Sequence, residues 1–455
     1  MSKPSLARGT RDFLPEEMLK RKYIFGIIEK VFVRYGFQCI ETPAVEQMAT
    51  LTGKYGDEGD RLVFKILNSG DFLTATSDAD IALAREKSSK TLVPLICEKA
   101  LRYDLTVPLA RFVVMHQNSL SFPFKRYQIQ PVWRADRPQK GRYREFYQCD
   151  ADIIGSGSLF NEAELLGVYT DVFLELGFTN FFIKINNRKL LHGIAEIMGN
   201  NSQTLTIVLD KLDKIGKTGV SNELLERGFE QAKIDILFDI IEQTGGFEEK
   251  LQAIKSIFQA HNVDTKGVTE LQTIYDHAKN YANVLAHLQL DLSLARGLDY
   301  YTGAIFEVTT TDVAMGSLGG GGRYDHLTEI FGLKNTTGVG ISFGAERILD
   351  VLNELNLLQN LNAHTTKVLL ATTNDESFGR GIAELQYLRT KNINAELYPE
   401  PTKLKKQLNY ANDKKIAYVV IIGEDELKTG ILTLKNMQDG EQLQLPMTQI
   451  AEILK

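Results

Sequence analysis

The sequence lacks the features of membrane, secreted and disulfide-linked proteins. No apolar run approaches the roughly 20 residues that a helix needs to cross a bilayer, and residues 1–8 contain no apolar stretch of a secretory signal. The three cysteines, Cys39, Cys97 and Cys149, lie far apart without a Cys-x-x-Cys pair, which argues against disulfides and structural zinc. We therefore expect a cytoplasmic protein with reduced thiols, no zinc and no membrane partner.

The composition is that of an ordinary globular protein. The chain has 455 residues, of which 43% are apolar and 24% charged, and its formal net charge is -6. Its length predicts about three domains. Because the total charge is acidic, a nucleic-acid partner would have to bind local basic patches. The seven histidines are scattered and no nucleophile elbow occurs, which disfavours hydrolases and metalloenzymes.

Hydrophobic periodicity divides the chain into segments of different character. Apolar residues from Tyr23 to Phe32 recur at helical spacing, and a short strand then runs to Pro43. Short apolar runs between 60 and 130 predict strands with one helix near 105–115. We predict an α+β catalytic core with an antiparallel sheet flanked by helices, and then a C-terminal α/β domain. The predicted ranges are 1–190 and 291–358 for the core, 191–290 for a helical insertion domain, 359–366 for a linker and 367–455 for the last domain.

A long basic hairpin is the most informative segment. Residues 127–134 and 145–155 alternate as two strands, and the loop between them is rich in arginine. Arg134 is in phase with Gln148 and Asp152, and Asp150 lies on the same face of the second strand. A polar strip inside a sheet is costly unless it binds something. A cation, an amide and a carboxylate suit a zwitterionic ligand plus a phosphate.

Two further segments combine arginine with glycine. The first is 294–303, which is followed at 319–322 by four consecutive glycines. A strand without side chains can be the floor of a pocket for a flat ligand, although a flexible loop is the alternative. The second is 344–347, where Arg347 opens a helix after a glycine-rich strand. This is a candidate anion site, although a surface arginine would give the same pattern.

Together these motifs resemble class II aminoacyl-tRNA synthetases, specifically the histidyl-tRNA synthetase family, over the whole chain. The hairpin resembles motif 2, residues 338–355 resemble motif 3, and the segment ending at Pro43 resembles motif 1, which forms the dimer interface in this class. The peptides 296–301 and 319–325 resemble those peculiar to the histidine enzymes. The resemblance implies the class II synthetase fold, an anticodon-binding last domain and a homodimer.

The resemblance also implies an activity. L-Histidine would react with ATP to give histidyl-adenylate and pyrophosphate, and tRNA(His) would then accept the histidyl group at its 3′ end. Mg²⁺ would accompany ATP, with ligands that the sequence does not identify. The implied catalytic residues are Arg134, Arg296 and Arg347, and the implied ATP-binding residues are Arg134, Arg142 and Arg347.

The remaining implied residues bind the amino acid and the tRNA. Arg137 and Gln139 would meet the acceptor end, and lysines of the last domain (Lys403, Lys405, Lys406, Lys414 and Lys415) could neutralise phosphates. The chain has Asp104-Leu105-Thr106 where many bacterial members have Glu-Gly-Thr, so the contact of the shorter carboxylate is open. The implied histidine-binding residues are Asp104, Thr106, Arg134, Gln148, Asp152, Arg296, Tyr300, Tyr301 and Tyr324.

Three alternatives compete with this interpretation. A catalytically inactive paralogue could serve as the regulatory subunit of an ATP phosphoribosyltransferase, but such proteins lack the last domain. A sister synthetase for another amino acid would share the motifs but not the peptides at 296–301 and 319–325. A simple RNA-binding module would leave the strip of Arg134, Gln148 and Asp152 without a purpose.

Overall fold

The computed structural model describes residues 3–53, 56–199, 202–295, 300–359, 361 and 366–455. Contacts divide the chain into two compact units. The larger is formed by residues within 1–12 and 20–359, and the smaller by residues within 13–19 and 360–455. Arg296 and the three residues after it lie outside the described residues, as do most of the predicted linker positions. The predicted limits of the helical insertion domain stay predictions.

A mixed sheet is the centre of the larger unit. In the described chain its eight strands have the order β1-β5-β6-β11-β10-β9-β7-β8. Pairing is antiparallel except at the two ends, where β1 is parallel to β5 and β7 to β8. A small sheet of order β2-β4-β3 accompanies it. The strands are β1 Gln38–Cys39, β2 Val45–Gln47, β3 Lys65–Ile66, β4 Lys99–Leu101, β5 Phe124–Trp133, β6 Glu145–Ile154, β7 Phe181–Asn187, β8 Leu288–Leu290, β9 Ala304–Thr310, β10 Gly319–Arg323 and β11 Gly338–Gly344.

Helices cover this sheet and lead into it. The predicted first helix is confirmed, and its residues Ile24, Ile28, Val31 and Phe32 are buried. The helices up to residue 175 are α1 Pro15–Arg34, α2 Met48–Leu51, α3 Gly56–Leu62, α4 Asp78–Glu86, α5 Val93–Ile96, α6 Thr106–His116 and α7 Phe160–Glu175.

The predicted strands between residues 60 and 96 were wrong. Most of this segment forms short helices, and only the two-residue strand β3 lies within it. Ser77 begins α4 with a capping box, in which its side chain accepts from the Asp80 amide and the Asp80 side chain accepts from the Ser77 amide. This local hydrogen bonding favours helix where the apolar pattern alone was ambiguous.

A helical segment and the motif 3 helix complete the larger unit. The helical pattern predicted for 190–290 is present, and β8 returns the chain to the central sheet. The helices are α8 Arg188–Met198, α9 Ser202–Leu209, α10 Leu212–Glu226, α11 Gln231–Ile241, α12 Phe247–Ala260, α13 Lys266–Ala278, α14 Val284–His287 and α15 Ala345–Glu354, with 3₁₀ turns at Ser89–Thr91 and Leu327–Phe331.

The smaller unit has the predicted alternation of strands and helices. Its sheet has the order β13-β12-β14-β15-β16, with the first three strands parallel. No helix in the described chain is long and apolar enough to span a membrane. The elements are β12 Val368–Thr372, α16 Asp375–Thr390, β13 Ala395–Leu397, α17 Leu404–Asp413, β14 Tyr418–Ile422, α18 Glu424–Thr429, β15 Leu432–Asn436, β16 Gln442–Leu445 and α19 Met447–Ile453.

Substitutions at two of the four glycines of β10 should affect packing to different extents. A β-carbon at Gly321 would lie 2.2 Å from the carbonyl oxygen of Gly340, whereas one at Gly320 would meet nothing closer than 3.5 Å. We expect Gly321→Ala to lower the free energy of unfolding by about 1–3 kcal/mol through overpacking. Gly320→Ala, the matched control, should leave it nearly unchanged. Urea unfolding followed by fluorescence of Trp133 on β5, the single tryptophan, measures both. Equal losses in the two variants would contradict this packing.

Candidate active site

A cavity of about 1020 Å³ lies over one face of the central sheet. Its floor comes from β6, β11 and β10, and its lining also includes residues of α8 and α9. Mixed polar and aromatic lining of this size can hold a nucleotide together with an amino acid. The sheet therefore forms the floor of a recess that is large enough for small-molecule ligands.

The cavity gathers most of the residues singled out in the sequence. Arg296 lies outside the described residues, and Arg137 and Gln139 are not among the described residues that line the cavity. Residues separated by up to 243 positions in the chain thus meet at one place. The predicted residues in its lining are Asp104, Thr106, Arg134, Arg142, Gln148, Asp152, Tyr300, Tyr301, Tyr324 and Arg347.

Arg134 is held in place just after the end of β5. Its Nε donates to the carbonyl oxygen of Tyr103 at 3.0 Å. Its guanidinium carbon lies 4.3 Å from the ring centre of Tyr103 and 5.2 Å from that of Phe146. Stacking between two aromatic rings fixes the plane of the cation and leaves its charge directed at the cavity.

Glu346 and Arg347 lie in the first turn of helix α15 and also line the cavity. Arg347 donates from Nε to the Gly141 carbonyl at 2.8 Å and from an amino group to the Ser317 carbonyl at 2.7 Å. The Glu346 carboxylate accepts from Arg21 at 2.7 Å and from the Tyr147 amide at 3.2 Å. Arg347 thus joins the basic loop to the segment just before β10 through two backbone oxygens.

Carboxyl groups also line the cavity. Asp152 lies 2.7 Å from Arg126, whose side chain is fully buried in the neighbouring strand. Tyr324 donates a short hydrogen bond to Asp152. Burial raises the pKa of Asp150 to about 7, outweighing the lowering effect of Arg126. Burial also raises the pKa of Asp152 against the same guanidinium.

Three tyrosines close one side of the cavity. The Tyr300 hydroxyl donates to Asp104 at 3.4 Å, and its ring makes edge contacts with the rings of Tyr301 and Tyr324. Burial and the nearby carboxylates, chiefly Asp152, raise the pKa of Tyr301 well above the usual tyrosine value. Tyr301 therefore keeps its proton at neutral pH and can donate it in a hydrogen bond.

The basic loop is braced by the N-terminal segment. The amide of Arg144 donates to the Gly9 carbonyl at 2.8 Å, and the Arg134 amide donates to the Arg144 carbonyl at 2.9 Å. The Arg11 guanidinium lies 3.7 Å from the centre of the Tyr143 ring. Arg142 is half exposed and lies 3.8 Å from Asp136. The loop is thus held against the N-terminal segment, and it contributes Asp136 and Arg142 to the lining of the cavity.

Family models match both units of this chain. The model described as histidyl-tRNA synthetase matches residues 98–348, and the anticodon binding domain matches residues 358–455. The chain belongs to the histidyl-tRNA synthetase family.

Relatives and solved structures agree over the full length. The chain is 49% identical to the histidine--tRNA ligase of Cytophaga hutchinsonii over 456 aligned residues, with 100% of both chains covered. It is 52% identical to that of Christiangramia forsetii, with 100% of this chain and 99% of the relative covered. The crystal structure of histidyl-tRNA synthetase from Nostoc sp. PCC 7120 matches at 30% identity and a TM-score of 0.82, covering 100% and 99% of the two chains.

Membership of the histidyl-tRNA synthetase family decides between the alternatives. The full-length matches to ligases, together with the anticodon-binding match, favour a synthetase over the regulatory paralogue. The family model separates it from sister synthetases of other amino acids. The predicted α+β fold with its C-terminal α/β domain is confirmed.

Several lining residues of this synthetase were missed as site residues. Asp150 had been placed on the correct face of its strand without being given a role, whereas Glu307 and Ser342 carried no recognisable motif. His192 lines the cavity from α8. Only the register that sets Asp150 opposite Ser342 and Ser342 opposite Gly320 brings these distant segments together.

The buried guanidinium of Arg126 leads to a testable prediction about the stability of this synthetase. Arg126→Met would leave the floor carboxylates without their counter-ion and should lower the free energy of unfolding by about 3–5 kcal/mol at pH 8. The pKa of Asp150 is about 7 in the folded protein, whereas its ordinary value is 3.8. Between these two pH values the folded protein binds more protons than the unfolded chain, so the free energy of unfolding falls as pH rises. The fall should be steeper in the variant, which lacks the balancing cation.

Urea unfolding at pH 5 and pH 8 checks this expectation. Lys125→Met is the matched control, because the partner of Lys125 is the less buried Glu164 and not a floor carboxyl. The control should lose about 1 kcal/mol or less at both pH values. A loss for Arg126→Met that is equal at pH 5 and pH 8 would show that the cation does not balance these carboxyls.

Proposed function

We propose that this chain joins L-histidine to the 3′ end of tRNA(His) in two steps, with ATP as the energy source. The observation that carries the proposal is the single cavity in which Arg134, Gln148, Asp152, Tyr301 and Arg347 converge. Arg134 and Arg347 would bind the phosphates, and the polar side chains of Gln148, Asp152 and Tyr301 would bind the amino acid. The full-length likeness to histidine--tRNA ligases supports the same activity.

The polar floor can recognise histidine through both of its ring nitrogens. Asp152 would accept from one ring nitrogen, and the protonated Tyr301 would donate to the other, as the family resemblance suggests. Thr106 and Gln148 would bind the α-amino end, with Asp104 beneath them. An analogue without ring nitrogens would leave these buried groups unpaired, which gives strong discrimination without editing.

Adenylate formation requires positioning and charge neutralisation more than a protein nucleophile. A carboxylate oxygen of histidine attacks the α-phosphorus, and the bond to the β-phosphate oxygen breaks as pyrophosphate leaves. Arg134 and Arg296 would neutralise the α-phosphate from two sides. The Arg347 guanidinium would give up its hydrogen bonds to the carbonyls of Gly141 and Ser317 and bind the γ-phosphate instead. Arg142 would contact ATP from the loop.

Oxygen groups in the cavity fit Mg²⁺. Among the described residues, no three His, Cys, Asp or Glu side chains form a cluster that could hold a metal ion by themselves. Ser317 donates a short hydrogen bond to Glu307 at the floor, and this carboxylate and hydroxyl are ligand types that Mg²⁺ accepts. We propose that they hold the ion together with the ATP phosphates. Bound Mg²⁺ would neutralise charge on the departing pyrophosphate.

The surface around the cavity can meet tRNA. Arg137 and Gln139 on the basic loop are proposed to contact the acceptor end. In the smaller unit, Lys406 and Lys414 pair with Glu400 and Glu396, so Lys403, Lys405 and Lys415 are the stronger candidates for phosphate contacts. We also propose a cytoplasmic homodimer, supported by the resemblance to motif 1 and by the exposed apolar side chains Val33, Val45 and Met115.

ATP–pyrophosphate exchange without tRNA tests the activity directly. Purified protein with Mg²⁺ should support exchange with histidine and with none of the other nineteen amino acids. Exchange with a different amino acid would mean that the subsite has been misread. A complete lack of exchange, with histidine bound normally, would overturn the ligase assignment.

Two arginines separate the two steps of the reaction. Arg134→Met should reduce the exchange rate about 10²–10³-fold, because it removes a charge aligned with the reacting phosphate. Arg137→Met should leave exchange without tRNA close to normal while raising the KM for tRNA in aminoacylation. Comparing exchange and aminoacylation rates for both variants checks this. A normal exchange rate in Arg134→Met would contradict the proposed role.

A further inference from the structure

A buried ion pair connects the end of β10 to helix α7. Arg323 is 4% exposed, and Glu162, in the first turn of α7, is fully buried. The Nε and one amino group of Arg323 donate to the two carboxylate oxygens of Glu162, at 2.5 and 2.8 Å. Neither residue is among the described residues that line the cavity, whereas Tyr324, the next residue after Arg323, lines it. The pair is therefore adjacent to the site without being part of its surface.

The other amino group of Arg323 begins a chain of hydrogen bonds towards the tyrosines of the cavity. It donates to one carboxylate oxygen of Asp325 at 3.3 Å, and the other oxygen accepts from the Thr302 hydroxyl at 2.8 Å. The Thr302 hydroxyl accepts from the Asp325 amide at 3.1 Å, and the Thr302 amide donates to the Arg323 carbonyl at 2.8 Å. The backbone directly after Tyr301 is thus tied to Arg323 and Asp325.

The Tyr301 ring packs closely against the backbone of β10. A β-carbon at Gly322 would lie 2.8 Å from the Tyr301 ring, and one at Gly303 would lie 3.0 Å from Cδ of Arg323. The ring of Tyr300 makes an edge contact with that of Tyr301, with 5.0 Å between the ring centres. Because glycine allows this close approach, the position of both rings follows the position of their segment against β10.

We propose that Arg323, Asp325 and Thr302 are positioning residues, which hold Tyr300 and Tyr301 in place for the amino acid from outside the cavity. The inference rests on the proposed function, in which Tyr301 donates to the histidine ring. A buried ion pair adds little net stability, because the loss of hydration offsets the attraction between the charges. The pair with Glu162 serves instead to fix one arrangement at the end of β10.

The phosphate-binding arginines have other supports. Arg134 donates to the Tyr103 carbonyl, and Arg347 donates to the Gly141 carbonyl. A displacement of about 1 Å at a positioned group can cost about 10²-fold in rate. A shift of Tyr301 should therefore weaken the binding of histidine and leave the binding of ATP unchanged.

Thr302→Val tests the proposal, because valine keeps the shape of the side chain and removes only the hydroxyl. In ATP–pyrophosphate exchange by the full-length protein with Mg²⁺, it should raise the KM for histidine about three- to tenfold, as expected for one buried hydrogen bond. The KM for ATP should stay within about twofold. Thr433→Val is the matched control, because the Thr433 hydroxyl donates to the Glu426 carboxylate at the same distance of 2.8 Å in the smaller unit. It should change neither KM.

A double-mutant cycle shows whether Thr302 and Asp325 act together. Asp325→Ala removes a partly exposed side chain and should raise the KM for histidine by a similar factor. The double variant should be no worse than the more impaired single variant, because both substitutions break the same connection. Arg323→Lys keeps the charge but cannot bind Glu162 and Asp325 with the geometry of a guanidinium, so it should show the same selective rise.

Every result supports or overturns the proposal. A selective rise in the KM for histidine that is not multiplied in the double variant supports it. Equal increases of both KM values, or no change in either, would overturn it, as would effects of the two substitutions that multiply. A lower free energy of unfolding with unchanged KM values would show that the contacts only stabilise the fold. Absence of histidine-dependent exchange in the unmodified protein would instead refute the proposed function.

Discussion

The buried pair of Arg126 and Asp152 is the constraint on which the site depends. Both side chains lie inside the central sheet, directly opposite each other on β5 and β6. A buried ion pair contributes little net stability, but removing one partner leaves an uncompensated charge. The pair fixes the relation of the two hairpin strands, and with it the positions of Arg134, Gln148 and Asp150. The geometry of the cavity floor therefore depends on a buried ion pair within the sheet.

Glycines on β10 and β11 leave room for neighbouring side chains in the same sheet. A β-carbon at Gly340 would lie 1.9 Å from Asp152, and one at Gly322 would lie 2.8 Å from the Tyr301 ring. Glycine at these positions lets the polar side chains of β6 and the tyrosines share the floor. Because side chains are absent there, this part of the cavity floor is bounded by backbone and by a few polar groups.

The sequence predicted the hairpin and the glycine strand because alternation and composition are local signals. Arg134, Gln148 and Asp152 meet as expected, since an antiparallel register follows from the strand pattern. The short helices α2–α5 were not predicted, because capping contacts such as that of Ser77 outweigh a weak apolar pattern. The wall formed by α8 and α9 depends on contacts between distant segments, which no local pattern contains.

The contacts of Arg347 would link the proposed binding of ATP to the conformation of the basic loop. Its guanidinium N–H groups donate to the carbonyl oxygens of Gly141 and Ser317, and a γ-phosphate bound there would accept from the same N–H groups. A γ-phosphate at Arg347, the proposed contact, would compete with the Gly141 carbonyl for the same guanidinium, so nucleotide binding and the conformation of the basic loop would be coupled through this one side chain.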